Sequence, residues 1–284
     1  MKRLIIAALS LFTLGAGAQK LENSLLWKIS GNGLQAPSYL YGTIHVTCDA
    51  SLTTEITKAL DDTKQLYLEI NMSDPNLQAQ MMGGMMMKEG KIMSKMVSEK
   101  DFNTLNQFLL KNLGIGAMML DNYKPAFINM MLTFKLLDCP PQSYEVELLT
   151  ISQKQGEEVF GLESIQDQID VFDKIPYEKQ MEELMKTAKD NMANDKAEFK
   201  KVMEVYETKD LNKIMDFMNE SENDMYGDHA DILLSERNKK WIPTIEQAAK
   251  NMPTFFGVGA AHLAGKEGVI QLLRDQGFTV EAVK

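Results

Sequence analysis

The chain has 284 residues, a net charge of −10 and no basic cluster, which argues against nucleic acid and against anionic membrane surfaces as partners. It carries no His-Glu-x-x-His, no Gly-x-Ser-x-Gly, no phosphate loop and no dinucleotide glycine fingerprint, so the usual zincin, serine hydrolase, nucleotide and dehydrogenase readings have no motif behind them.

Residues 1–18 read as a signal peptide. Lys2 and Arg3 give a basic start, Leu4 to Leu14 is apolar, and Ala16-Gly17-Ala18 has the small-x-small form of a cleavage site. The mature chain is expected to begin at Gln19 and to be periplasmic or secreted. The apolar run is too short to span a membrane, and no other run is long enough, so no stable membrane insertion is expected after cleavage.

Leu25 to Ser30 reads as a strand, Gly31-Asn32-Gly33 as a turn, and Ser38 to Ile44 as the second strand of a hairpin that leads into His45. Ser51 to Asp62 reads as a helix capped by Ser51, and Gln65 to Ile70 as a buried strand carrying Glu69 near its end. Residues 74 to about 135 read as helices and loops, stopped by Pro140-Pro141. Tyr144 to Ser152 reads as strand passing into helix, with Glu145 and Glu147 on one solvated face. Glu157 to Leu162 is the next strand, residues 176–250 a long helical region, and Thr254 to Val258 the last buried strand. A helix from Lys266 to Gln276, stopped by Gly277, and an edge strand from Phe278 to Val283 complete the chain. The pattern predicts one α/β (α+β) domain over 19–284 with a large helical insertion, its helical segments at about 74–137 and 176–250.

Of three histidines, two sit in matching turns after strands: Gly42-Thr43-Ile44-His45 and Gly259-Ala260-Ala261-His262. A glycine there permits a sharp turn or a close approach. Ligands of open α/β sheets bind at the carboxyl ends of strands, and neutral imidazole is a favoured metal ligand. The matched turns predict neighbouring strands whose imidazoles share one ion. Glu69 and Glu163 also close apolar strands. A charge in such a place needs a partner, and a metal or a general-base role supplies one. Arg237 is expected to hold a carboxylate, either the substrate's or that of Glu163, and His229 to be solvated.

Cys48 and Cys139 admit a disulfide, free thiols or, for Cys48, a ligand role beside His45. Met81, Met82, Met85, Met86, Met87, Met93 and Met96 crowd one short stretch with Gly83 and Gly84. It admits helix core, a flexible flap over a groove, or a copper(I) site.

The chain resembles the TraB/PrgY/GumN family, which includes the Tiki metalloproteases. The resemblance rests on Leu26-Trp27-Lys28, Ser38-Tyr39-Leu40-Tyr41-Gly42-Thr43-Ile44-His45-Val46, Glu69, Gly161-Leu162-Glu163-Ser164 with Gln166 and Gln168, Glu236-Arg237-Asn238, and Val258-Gly259-Ala260-Ala261-His262-Leu263. It implies a central mixed sheet flanked by helices, akin to the erythromycin-esterase and ChaN-like folds. Through the Tiki branch it implies metal-dependent cleavage of a peptide or protein substrate by His45, His262 and Glu69. The resulting expectation is an exported hydrolase holding a divalent ion (Zn, Mn or Co) with His45, His262 and Glu163, with Glu69 as base and Arg237 orienting a carboxylate. Glu69 and Glu163 are open to exchange of roles. The alternatives are a module that sequesters a peptide, metal or haem in the same cleft, and metal-free ester hydrolysis with His45 as base.

Overall fold

The computed structural model describes residues 21–220 and 229–284. The expected signal peptide lies outside them. Strand β1 (Leu26–Gly31) turns into β2 (Ser38–Thr43) through a left-handed stretch, Gly31, Asn32 and Gly33, with φ of 75°, 46° and 84°. Helix α1 (Thr54–Asp61) follows, then β3 (Gln65–Leu68). The helical middle comprises α2 (Leu77–Gly84), α3 (Glu99–Leu113), α4 (Pro125–Thr133) and α5 (Tyr144–Gln155). After β4 (Glu158–Gly161) come α6 (Ile165–Lys174), α7 (Tyr177–Lys189), α8 (Ala193–Glu207) and α9 (Leu211–Glu220). Helix α10 (Glu236–Asn251) leads into β5 (Thr254–Gly259), α11 (Val269–Asp275) and β6 (Phe278–Ala282).

The strands form one mixed sheet in the order β4-β3-β5-β2-β1-β6. Strands β4, β3, β5 and β2 run parallel, while β1 pairs antiparallel with β2 and β6. Buried apolar runs such as Leu66, Leu68, Phe255, Phe256 and Val258 mark the central parallel strands, and Trp241 and Ile245 of α10 and Ile270 and Leu273 of α11 pack in the same core. A second core lies among helices: Phe102, Leu105 and Leu109 of α3 pack with Leu132 of α4 and Met181 and Leu184 of α7. The expected helical insertion therefore has an interior of its own. Of the Met-rich stretch, Met87 and Met93 are buried in that second core, while Met82 and Met86 are exposed.

Three local expectations change. Helix α1 is capped by Thr53, whose side chain accepts from the Ile56 amide, rather than by Ser51. The last helix begins at Val269, because Gly265 takes φ of 86° and turns the chain first. Residues 144–152 are helix throughout, with no opening strand. Helical spacing puts Glu145, Leu148 and Ser152 on the inner face, so Glu145 is buried, not solvated. Cys48 and Cys139 form a disulfide, with a Cα–Cα distance of 5.7 Å, and this removes Cys48 from the ligand candidates.

Candidate functional site

Each of the four parallel strands delivers one chemical side chain just past its carboxyl end. His45 follows β2, Glu69 follows β3, Glu163 follows β4 and His262 follows β5. Thr43 is paired with Gly259, and Leu68 with both Gly257 and Gly161, so the four strands end together. The ladder between β3 and β4 runs on one step further, with the Glu163 amide donating to the Glu69 carbonyl at 3.0 Å. The cleft at the strand ends is the place that an open parallel sheet offers to a ligand.

The two glycines of the matched turns serve by absence of bulk. A Cβ on Gly42 would lie 2.7 Å from Leu263 Cδ1 and 3.1 Å from Ala260 Cα, so the turn after β5 rests directly on the β2 backbone. A Cβ on Gly259 would lie 3.3 Å from Glu69 Oε1, 3.5 Å from His45 Nε2 and 3.6 Å from His262 Cδ2. Gly259 is thus the floor on which both imidazoles and one carboxylate converge, and its amide donates to Glu69 Oε1 at 2.8 Å.

Helix α10 brings the cation. A single π-helical turn, Asp231–Ser235, precedes it. Such turns collect at functional sites. The Leu233 carbonyl accepts from Arg237 Nη1 at 3.0 Å. Arg237, Asn238 and Trp241 then share the face of the helix that looks onto the strand ends. Arg237 Nη2 donates to Glu69 Oε2 and Glu163 Oε1, each at 2.6 Å, and Nε adds contacts to Glu163 at 3.1 and 3.3 Å. Nη1 also lies 3.1 Å from His262 Nε2. Trp241 Nε1 donates to Glu163 Oε2 at 3.1 Å, and its ring lies 4.9 Å from the Arg237 guanidinium and 4.5 Å from the His262 ring.

The imidazoles are oriented from behind. His262 Nδ1 meets Asn238 Oδ1 at 2.6 Å. Asn238 Nδ2 is spent on the carbonyls of His262 and Glu267, so Oδ1 is the acceptor, Nδ1 carries the proton, and the Nε2 lone pair looks into the cleft. His45 Nδ1 lies 2.7 Å from Glu145 Oε1, and Glu145 also accepts from Thr43 and Ser143, each at 2.6 Å. His45 Nε2 and His262 Nε2 lie 4.0 and 3.8 Å from the same atom, Glu69 Oε1.

Charge divides the pair. Burial lowers the His262 pKa to about 3, opposed by Glu69 and assisted by Arg237 and His45. The His45 imidazole is 64% exposed. Desolvation by its walls lowers it, but the hydrogen bond and charge of Glu145, then the charge of Glu69, raise it to about 9. Burial alone raises Glu69, and His262, Arg237, His45 and the Gly259 amide pull it down to about 2. Glu145 is also held at about 2: burial raises it, and His45, Ser143 and Thr43 outweigh that.

The geometry therefore brings His45, Glu69, Glu163, Arg237 and His262 into one cluster. His229 is half-buried and has no part in it. Glu145, Asn238, Trp241 and Gln168, whose Nε2 donates to Glu69 Oε2 at 3.3 Å, belong to the cluster as well. Sequence reasoning set Glu145 aside as solvated. The signal was there in the i, i+3, i+7 spacing of Glu145, Leu148 and Ser152, which an alternating reading hid.

A family model described as the TraB/PrgY/gumN family matches residues 25–282. The chain belongs to the TraB/PrgY/gumN family. That match takes in every cluster residue and, among the described residues, all six strands of this family member. No curated protein and no solved structure matches the chain.

The family resemblance implies a metal, and the donors can be tested against one. Two imidazoles present Nε2 to one carboxylate oxygen, each with Nδ1 fixed by a hydrogen-bonding partner, the arrangement usual behind metal-ligating histidine. In kind, this His₂Glu set fits a divalent cation. Among the described residues, no three His, Cys, Asp or Glu side chains already stand in a coordinating arrangement. Both carboxylates carry hydrogen bonds on both oxygens, but only Glu69 Oε1 faces the two imidazoles, whereas the oxygens of Glu163 face Arg237 and Trp241.

Proposed function

We propose that this family member is an exported metal-dependent hydrolase that cleaves peptide bonds. The observation that carries the reading is the meeting of His45 Nε2 and His262 Nε2 on Glu69 Oε1, at 4.0 and 3.8 Å, at the carboxyl ends of parallel strands. Zinc, manganese or cobalt would be held by His45, His262 and Glu69. When bound, such an ion acts as a Lewis acid on a carbonyl and makes water a nucleophile near neutral pH. Glu69 takes the ligand place first assigned to Glu163, and Glu163 becomes the anchor of Arg237. Glu69 is the cluster carboxylate whose oxygen faces both imidazoles, so the ligand role falls to it. Arg237 fixes Glu69 through Oε2 and places positive charge beside the position where a carbonyl oxygen would gain negative charge. Glu145 and Asn238 hold the two rings. The peptide as substrate class rests on the Tiki branch of the resemblance. Export is supported by the signal-like start and by the Cys48–Cys139 bridge, which suits an oxidising compartment.

The test is the metal content of the purified mature protein beside its His45→Ala/His262→Ala double variant. One equivalent in the first and none in the second supports the reading. Chelation should then abolish peptide hydrolysis, and Zn²⁺, Mn²⁺ or Co²⁺ should restore it. No turnover with any of these metals moves the reading to a sequestering module.

One observation favours a second mechanism. The exposed His45 with Nδ1 on Glu145 is a histidine–carboxylate pair with Nε2 open to the cleft, the geometry of a general base for metal-free ester hydrolysis once the ring, raised to about 9, has lost its proton. Hydrolysis that persists undiminished in verified metal-free protein decides for it.

A further inference from the structure

The His262 Nε2 lone pair has two claimants. The orientation of Asn238 fixes that lone pair toward the cleft, and Arg237 Nη1 sits on it at 3.1 Å. The same guanidinium binds Glu69 Oε2 at 2.6 Å. An imidazole nitrogen with one lone pair cannot accept from Arg237 and ligate an ion at once.

We propose that Arg237 is the resident cation of this centre: it holds the metal-free cluster closed, and must release His262 Nε2 for a divalent ion to load. The inference rests on the metal reading above and adds a residue that sets metal affinity. Without a cation, Glu69 and Glu163 would be two buried carboxylates close together, an arrangement that strongly disfavours ionising both. Arg237 neutralises them, so the strand ends stay assembled without metal.

The guanidinium is also built to move without leaving. Its Nε and Nη2 are forked onto Glu163, which takes a further hydrogen bond from Trp241, and its face rests on the Trp241 ring. Only Nη1 touches the histidine, and Nη1 keeps the Leu233 carbonyl as a second acceptor. A small tilt about the Glu163 anchor gives up His262 and loosens the Glu69 contact, while the fork on Glu163 and the Trp241 face stay in place. Glu163 is on this account a positioning residue for Arg237. The Leu233 carbonyl, in the π-helical turn, is what lets Nη1 stay satisfied after release. Metal affinity is then lower than the bare donors would give, because each loading event breaks the Arg237–His262 contact and weakens the hold on Glu69.

The experiment measures Zn²⁺ affinity by competition with a fluorescent chelator, in wild-type protein, Arg237→Lys and Arg237→Gln. Lysine keeps a cation near Glu69 and Glu163 without the planar fork that reaches His262. Both variants are expected to bind Zn²⁺ at least about tenfold more tightly than wild type, and to melt at lower temperature when metal-free. Equal or weaker binding in the folded variants overturns the inference and leaves the metal reading standing. Absence of binding in wild type and variants alike overturns the metal reading, and this inference with it. Should neither variant fold, the wild-type protein decides. The ¹⁵N signal of the Arg237 guanidinium should shift on saturation with Zn²⁺, and a signal unmoved in zinc-loaded protein overturns the proposal.

Discussion

His45 and His262 occupy matching turns on neighbouring parallel strands, yet they are chemically opposite. One ring is 64% exposed, leans on a carboxylate and is raised to about 9. The other is 5% exposed, leans on an amide and is lowered to about 3. The strand and its glycine decide where the ring goes. The helix that arrives behind it decides what the ring does: α5 brings Glu145 to His45, and α10 brings Asn238, Trp241 and Arg237 to His262. One motif thus sets two rings in environments that push their pKa in opposite directions.

The sharpest way to break that contrast is to remove each ring in turn. His45→Ala and His262→Ala should each weaken Zn²⁺ binding by more than about 100-fold, since loss of supporting partners alone costs 10–100-fold. They should differ in metal-free stability. His262→Ala leaves Asn238 Oδ1 without its partner and opens a space beside Trp241, a loss of roughly 2–4 kcal/mol at any pH, whereas His45→Ala opens no cavity and costs Glu145 its partner only below about pH 9. Calorimetry of the metal-free variants gives the comparison, and equal destabilisation by both would remove the distinction drawn here.

The supporting partners come next. Glu145→Gln and Asn238→Ala should each weaken Zn²⁺ binding by about 10–100-fold without unfolding the protein. Chelator competition reads this, and an effect confined to one of the two would mean that the other ring is positioned by its strand alone.

Solution pH should separate the rings with no mutation. His45, raised to about 9, contributes stability that is complete below pH 6.5 and is lost as pH rises through 9. His262, lowered to about 3, refuses a proton that the unfolded chain accepts, so stability falls as pH drops from 6.5 toward 3. Glu69 and Glu145, both lowered to about 2, contribute stability that is complete above pH 4.5 and is lost as pH falls toward 2. The melting temperature of metal-free protein should therefore peak near pH 6.5. His45→Ala should flatten the alkaline side, and His262→Ala the side between pH 6.5 and 4.5. A profile that neither variant changes would show that the two rings are not the groups responsible.

The effect expected to be smallest at the metal site concerns the His45 half alone. The Cys48–Cys139 bridge spans a sequence separation of 91, and beside it Thr47 and Gln142 exchange backbone hydrogen bonds at 3.0 and 2.8 Å. Together they clamp the segment after His45 to the segment that opens α5 and carries Glu145. Reduction should cost roughly 2–4 kcal/mol and lower the melting temperature by about 5–15 °C without abolishing folding. In NMR spectra it should move the His45 ring signals and leave those of His262 in place. Equal movement of both would mean that the clamp supports the whole cleft.

Much of this was legible in order of sequence separation. The hairpin, the buried strands and the helix periodicities are local consequences of side-chain pattern, and the Gly-x-x-His pair identified β2 and β5 as neighbours because both strands end in the same turn. Local pattern also placed Glu69 and Glu163 at strand ends. It could not rank them, because a carboxylate at the end of a strand reads the same whether it faces two imidazoles or an arginine. Glu145 was misplaced because its two-residue spacing with Glu147 mimics a strand, while its burial depends on helix α5 packing against the sheet. The disulfide stayed open for a related reason: a pairing across 91 positions depends on where two loops meet in space. The sequence by itself determined the strands, their order of approach to the cleft and the chemical groups at their ends. Only the tertiary structure decided which carboxylate meets both imidazoles as well as Arg237, which meets Arg237 and Trp241 alone, and which ring is buried, because those depend on distances of a few ångströms between helices and strands far apart in the chain.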